Sequence, residues 1–289
     1  MKKGAVKSSE REYAKGWSVE SRKHFNFFGL YYRVRAGNHI FPCRSVLDII
    51  HKDISEPPSV SKPYDLLIIM MNPGSSLTRD EMSAGFVLND WMRSTQRSMA
   101  NRNSKQHGSL ITNKSDISSL ESWLSVPKPD NVQGSICKLL LNEGIQRARV
   151  LNLIDIRHPD SKAVPAIYTL AKVSGFDECS VFAPGRAEDL KRLIEPLKDG
   201  GQKARAFVVA HGSLGALEHL AKESRTALAK SNITIALLQE KSQGQVMYPG
   251  RKSPEQWVKP LTNQLRRFMA ERRVMAAVTR LVRRRRRTS

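Results

Sequence analysis

Cysteine is scarce in this chain of 289 residues: there are three, Cys43, Cys137 and Cys179. They lie far apart and no two form a C-x-x-C pair. That spacing argues against a zinc ribbon, an iron–sulfur cluster or a disulfide framework, and three half-buried small hydrophobes in a reducing cytoplasm account for them. Long apolar runs are also missing, since no stretch approaches the roughly 20 residues a membrane-spanning helix needs. The first residues, Met1 to Gly16, are polar and hold no apolar signal core, so the expected location is cytoplasmic, with no membrane partner. Acidic residues are the third shortage. There are 27 Asp and Glu against 48 Lys and Arg, a formal net charge of +21.

The basic excess is spread over the whole chain. The segment from Arg266 to Ser289 has ten Arg and one Glu, or +9, which leaves +12 of the total +21 on the rest. A phosphate backbone is the commonest partner of such a surface, because every neutralised phosphate releases condensed counterions. The run Arg283 to Arg287 fits either a solvated tail or a non-specific DNA clamp. Hydrophobic residues make up 40% of the chain, enough for one large α/β domain or two small ones.

The apolar residues gather in short blocks. Leu66 to Met71 is a continuous apolar run bounded by proline and glycine, the signature of a strand buried on both faces. Arg149 to Ile156, Ala204 to Ala210 and Ile233 to Leu238 repeat it. Helical patterns lie between, over Ser135–Glu143, Arg186–Leu197 and Ser213–Lys230, and another runs from Pro254 to Val282. The alternation predicts an α/β fold, a three-layer sandwich with a central four-stranded parallel sheet and helices on both faces. Right-handed crossovers then bring all the strand C-terminal ends to one edge, where ligand sites gather. Phe25 to Val34 reads as an edge strand and Ser45 to His51 as a short helix. The domain plan is a basic arm and edge strand over 1–44, an α/β domain over 45–268 with a polar insertion at 89–134, and a basic tail over 269–289.

Three features follow strand ends. Met71-Asn72-Pro73-Gly74-Ser75-Ser76 comes after the first run, where Pro73 and Gly74 force a tight turn. In the second run Asn152 interrupts an apolar strand, and a buried amide, both donor and acceptor, suits a nucleobase edge. Asp155 and His158 beyond it offer a metal reading, but no clear third ligand accompanies them. After the fourth run a Gly/Pro loop carries Tyr248, Pro249, Gly250, Arg251 and Lys252. No G-x-G-x-x-G or G-x-x-x-x-G-K-[ST] phosphate loop occurs at these places, although Gly212-x-x-Gly215 follows the third run.

Together, in this order, these features resemble the uracil-DNA glycosylase superfamily over roughly Tyr64 to Phe268. Met71-Asn72-Pro73-Gly74 is similar to the first motif of its single-strand-selective and mismatch-specific branches, which orients the attacking water. Asn152, in L-N-L, stands where an Asn reads the flipped base. Tyr248 to Lys252 stands where a late loop enters the minor groove. The arrangement is also similar to a family of uncharacterised bacterial proteins with an N-P-S/G motif, an N-L strand and a late G-x-x-x-x-P loop.

The resemblance implies a DNA glycosylase that flips and excises a modified or damaged base without cofactor or metal. One bacterial anti-phage member removes glucosylated hydroxymethylcytosine, which brings in hypermodified phage cytosine and a defence role. The implied roles are Asn72 and Tyr248 in catalysis, Met71, Phe86 and Asn152 on the base, and Ser75, Ser76, Pro249, Gly250, Arg251 and Lys252 on DNA. A monomer is expected, with Asn72, Asn152 and Pro249 lining one cleft. Two departures stand out. Tyr248 replaces the His of several branches, and the first motif has no Asp. An amide can orient water without accepting its proton, which suits a transition state with oxocarbenium character. The alternative is a nucleic-acid-binding protein that keeps the fold without the chemistry.

Overall fold

The computed structural model describes residues 23–55, 64–74, 109–111, 124–125, 131–194, 206–212, 215–230, 237–239, 241–242, 245–246, 257–267 and 270. The first two strands, β1 (Phe25–Ala36) and β2 (His39–His51), form an antiparallel hairpin. Its two-residue turn starts at Gly37, whose φ of 53° suits glycine, so the turn takes the twist that flanking strands need. The four apolar runs yield β3 (Leu66–Met70), β6 (Arg147–Asn152), β7 (Ala206–Val209) and β8 (Leu237–Gln239). Two short strands, β4 (Ser109–Ile111) and β5 (Leu124–Ser125), precede β6 in the chain.

All eight join one sheet in the order β4-β1-β2-β6-β3-β7-β8, with β5 also on β1. β6 and β7 flank β3 in parallel and β8 continues in parallel beside β7. β2 pairs antiparallel with β6, so the sheet is mixed and larger than the four-stranded parallel one expected. The hairpin makes the difference, because it adds its own strands to the flank of β6. β2 runs unbroken across residues 44 and 45.

Two local expectations are corrected. Residues 45–51 are the second half of β2 and not a helix. With β1 on one side and β6 on the other, residues 41–50 are all buried. Apolar side chains are then needed on both faces, the period of two disappears, and Val46, Ile49 and Ile50 mimic helical spacing. β1 is a strand but not an edge, because β4 and β5 pair along its outer side. Both come from the 89–134 segment.

The helices are α1 (Asn131–Asn142), α2 (Val164–Val173), α3 (Ala187–Ile194), α4 (Glu218–Lys230) and α5 over residues 257–267. Strand alternation sorts them into two cores. Leu67, Ile69 and Leu151 pack with Val164, Ile167, Leu190, Leu220 and Leu228 of α2, α3 and α4. Leu66, Ile68, Met70 and Val150 pack with Ile136, Leu139 and Leu140 of α1 and with Trp257, Val258 and Leu261 of α5. Each fully buried Leu or Ile contributes roughly 1.5–3 kcal/mol, so β3, buried along its whole length, anchors both layers. Among the described residues no helix is long and apolar enough to cross a membrane.

Candidate functional site

The ends of β6, β3 and β7 form one edge. The Leu153 and Ile154 amides donate to the carbonyls of Met70 and Met71 at 2.8 and 3.0 Å, and the Ala210 amide donates to Ile69 at 2.8 Å. The segments after the three strands therefore start side by side. Asn72 and Asn152 lie at this same edge. Met71 belongs to the first core. Gly74 has φ 63° and open space where a Cβ would stand, so its conformation rather than crowding calls for glycine.

The two asparagines differ sharply. Asn72 Nδ2 donates to the His158 carbonyl at 2.9 Å, bracing the turn after β3 against the segment after β6. Asn152 is fully buried, yet among the described residues neither Nδ2 nor Oδ1 has a hydrogen-bond partner. Leaving a buried polar group unsatisfied costs about 1–3 kcal/mol.

Asn152 pairs in register with Met70, which places it on the face of α1 and α5. The neighbouring strand β2 carries a bulge at this edge. The β1–β2 ladder shifts between Leu30 and Tyr31, whose partners are Val46 and Arg44, so Ser45 is an extra residue. The ladder to β6 ends at Val46–Leu151, and beyond the bulge the Arg44 amide donates to the Asp155 carbonyl at 2.8 Å, with Cys43 opposite Ile156. Tyr31 and Arg44 face the second layer, since Leu30, Tyr32 and Cys43 face the first. Arg44 is 3% exposed and its Nε and Nη1 have no partner among the described residues. The buried Arg157 guanidinium lies over the Tyr31 ring, 5.0 Å from its centre.

The helix α1 adds to the positive character. A 12-residue helix is about 18 Å long and a six-residue strand about 20 Å, so α1 and β6, joined by a short turn, cover the same span in opposite directions. The α1 N-terminus, the positive end of its dipole, thus lies at the edge where β6 ends.

A second buried cluster lies on the other face. Asp155 Oδ2 accepts from Tyr32 and Ser45 at 2.6 Å each and from Arg186 at 2.5 Å, and Arg186 also reaches Ser45 at 3.0 Å. The Asp155 carboxylate is thus turned inward to a cation, which is what its burial demands. Burial, and then the Asp155 charge, push the Tyr32 hydroxyl well above its ordinary range, so it remains a donor. Burial works against the Arg186 charge, but Asp155, Tyr32 and Asp189 together more than offset it and the net shift is upward. Burial, and then Asp155, raise the nearby Cys43 thiol, and the same two causes push Cys179 up to about 12.

His211, directly after β7, is a further residue of this edge. It is 3% exposed, and its Nδ1 lies 2.8 Å from the Gly212 carbonyl, which can only accept. Nδ1 is accordingly assigned the proton, and Nε2 keeps its lone pair without a partner. Burial lowers its pKa, with a smaller push from Arg225, and the imidazole is held neutral.

Sequence reading missed Arg44 and His211. A histidine closing the apolar run before Gly212 was a usable signal. Arg44 had none, because its place depends on a bulge. Ser75, Ser76, Phe86, Tyr248, Pro249, Gly250, Arg251 and Lys252 lie outside the described residues. The hairpin of β9 (Lys241–Ser242) and β10 (Gln245–Val246) precedes the last five. An apolar groove of about 580 Å³ between α3 and α4, lined by Phe182, Leu190, Ile194 and Ala227, contains none of the site residues.

No family model matches the chain, and neither the curated proteins nor the solved structures contain a significant match. The geometry of the strand ends therefore has to carry the functional reading.

Proposed function

We propose that the chain is a DNA glycosylase of the uracil-DNA glycosylase type, which binds DNA through its basic surface and reads an extruded base at the strand ends. The observation that carries this reading is the fully buried Asn152 amide with both donor and acceptor unpartnered. Such an amide is complementary to a nucleobase edge and costly without one. The net charge of +21 supplies the sequence-independent attraction to phosphates. Asn72, in the turn after β3, orients the water that attacks the sugar carbon, and the Tyr248 to Lys252 loop enters the duplex. Hypermodified cytosine of phage DNA is one substrate in keeping with the resemblance, and the cytoplasm is the matching location.

The bond from Asn72 to His158 favours a second reading, a binding protein without chemistry, because it commits the amide's donor to bracing a loop. Alkali-induced strand breaks on DNA panels separate the two. A glycosylase leaves abasic sites, and Asn72→Ala lowers their yield on the order of a hundredfold or more with a smaller change in DNA affinity. Asn152→Ala weakens discrimination between bases, by roughly 1–3 kcal/mol for a bidentate pair. A wild-type chain that binds DNA but never yields abasic sites establishes the binding-protein reading instead.

A further inference from the structure

We infer that Tyr31, Arg44 and Arg157 build a buried anion site on the second face of the sheet, and that it takes a dianionic phosphate group. The inference stands independently of the glycosylase reading. Tyr31 and Arg44 are direct partners across the β1–β2 ladder, so their side chains leave the sheet together on one face. Arg157 comes to the same place from the segment after β6. Its amide donates to the Pro42 carbonyl at 2.8 Å, and its guanidinium lies over the Tyr31 ring, 5.0 Å from the ring centre. Arg33, paired with Pro42 and two residues beyond Tyr31, adds a half-buried cation on the same face. Arg44 and Arg157 are 3% and 1% exposed.

Buried positive charge needs a counterion, and the hairpin supplies none on this face. β1 has no acidic residue. The one acidic residue of β2, Asp48, is bidentate to Arg149 on the opposite face, where Arg149 also reaches the Leu193 carbonyl of α3. Asp155 lies across from Arg44 along the backbone, but its Oδ2 accepts from Tyr32, Ser45 and Arg186 on that opposite face, and no ion pair joins it to Arg44. Arg44 Nε and Nη1 are left without an acceptor among the described residues. An uncompensated buried guanidinium is costly, and an anion is what offsets it. The guanidinium fork matches two oxygens of one phosphate, and a second arginine beside it can share the group from the side. Two cations suit the dianion of a phosphomonoester better than the single charge of a phosphodiester. Burial points the same way. A terminal or free phosphate enters a closed place that the continuous backbone of a duplex does not.

The test uses the full chain as wild type, Arg44→Met, Arg44→Lys and Arg157→Met, with Lys191→Met on the exposed side of α3 as control. Thermal unfolding is followed in sodium phosphate and in sodium chloride of equal ionic strength. Binding of inorganic phosphate, deoxyadenosine monophosphate, and a short single strand with or without a 5′-phosphate is titrated in parallel. Wild type and Lys191→Met are expected to gain stability in phosphate beyond that in chloride. Arg44→Met loses this gain and weakens phosphate binding at least about tenfold, as does Arg157→Met, while Arg44→Lys, which keeps the charge without the fork, retains part of it. The probe on which Arg44 matters most, whether phosphate, nucleotide or strand end, identifies the source of the group. A wild type that gains nothing over chloride overturns the inference, as does a gain of the same size in Arg44→Met. An Arg44→Met loss equal for strands with and without the 5′-phosphate overturns it too, because internal phosphodiesters are then what Arg44 serves. Should Arg44→Met fail to fold, Arg44→Lys and Arg157→Met decide, and an unaltered phosphate gain in both overturns the inference.

Discussion

Two sets of buried polar residues lie at the same sheet end, and they are built differently. On the face of α2, α3 and α4, Asp155 and Arg186 neutralise each other, with Tyr32 and Ser45 bonded to one carboxylate oxygen, while the other, Oδ1, has no partner among the described residues. On the face of α1 and α5, Asn152 and Arg44 are as deeply buried, carry no carboxylate partner for their four polar atoms Nδ2, Oδ1, Nε and Nη1, and leave these without partners among the described residues. Folding alone has no use for the second arrangement, since an apolar pair would pack there at lower cost. The first cluster ties β1, β2, the segment after β6 and the start of α3 into one frame.

The largest effect on this comparison is expected from breaking the ion-paired cluster. Arg186→Met strands the Asp155 charge in the core and should cost about 3–5 kcal/mol, read as a lower urea midpoint. A midpoint within error of wild type would mean the Asp155 site relaxes or admits water.

The opposite sign is expected from Asn152. Asn152→Leu removes a buried amide that has no partner and should leave the ligand-free protein as stable or more stable, by about 1 kcal/mol, while abolishing base discrimination. Destabilisation of the same size as in Arg186→Met would make Asn152 a structural residue and erase the contrast.

A smaller effect attaches to His211. Its folded pKa lies below the ordinary value of 6.5, so the unfolded chain binds the proton first as pH falls. The stability it contributes is therefore fully present above 6.5 and is lost as pH drops through that value and below. His211→Gln should flatten the dependence of the urea midpoint on pH between about pH 7.5 and about pH 5.5. An unchanged slope assigns the pH dependence to other groups.

The smallest effect concerns the thiols. Cys43, Cys137 and Cys179 are all buried, and the Cys43 and Cys179 thiols are shifted upward. Iodoacetamide near pH 8 should leave them unmodified in the folded protein and label all three in urea. Rapid labelling without urea would show that the frame around Asp155 opens on its own.

The parallel part of the fold was legible in the chain because its strands are continuous apolar runs separated by helical patterns. Leu66 to Met70 could be read without knowing any neighbour, since a segment apolar on both faces, bounded by proline and glycine, has few other places to go. The placement of Asn72 and Asn152 at one edge followed from the crossover rule alone. β2 was not legible, because burial on both faces removed its period of two and left a spacing that suits a helix equally well. Its true state depended on β1 and β6 lying on either side of it.

The partners of the buried charges were beyond reach for the same reason. Asp155 and Arg186 are separated by 31 residues, and Arg149 and Asp48, which pair bidentately at 2.8 Å, by 101. Composition and local order determined that this chain is basic, that it builds parallel strands, and that two asparagines stand at their ends. Only tertiary structure decided that Ser45 bulges out of the ladder, and that Arg44 lies opposite Asp155. Register is a property of two strands at once, and one extra residue in one of them shifts which side chains share a face.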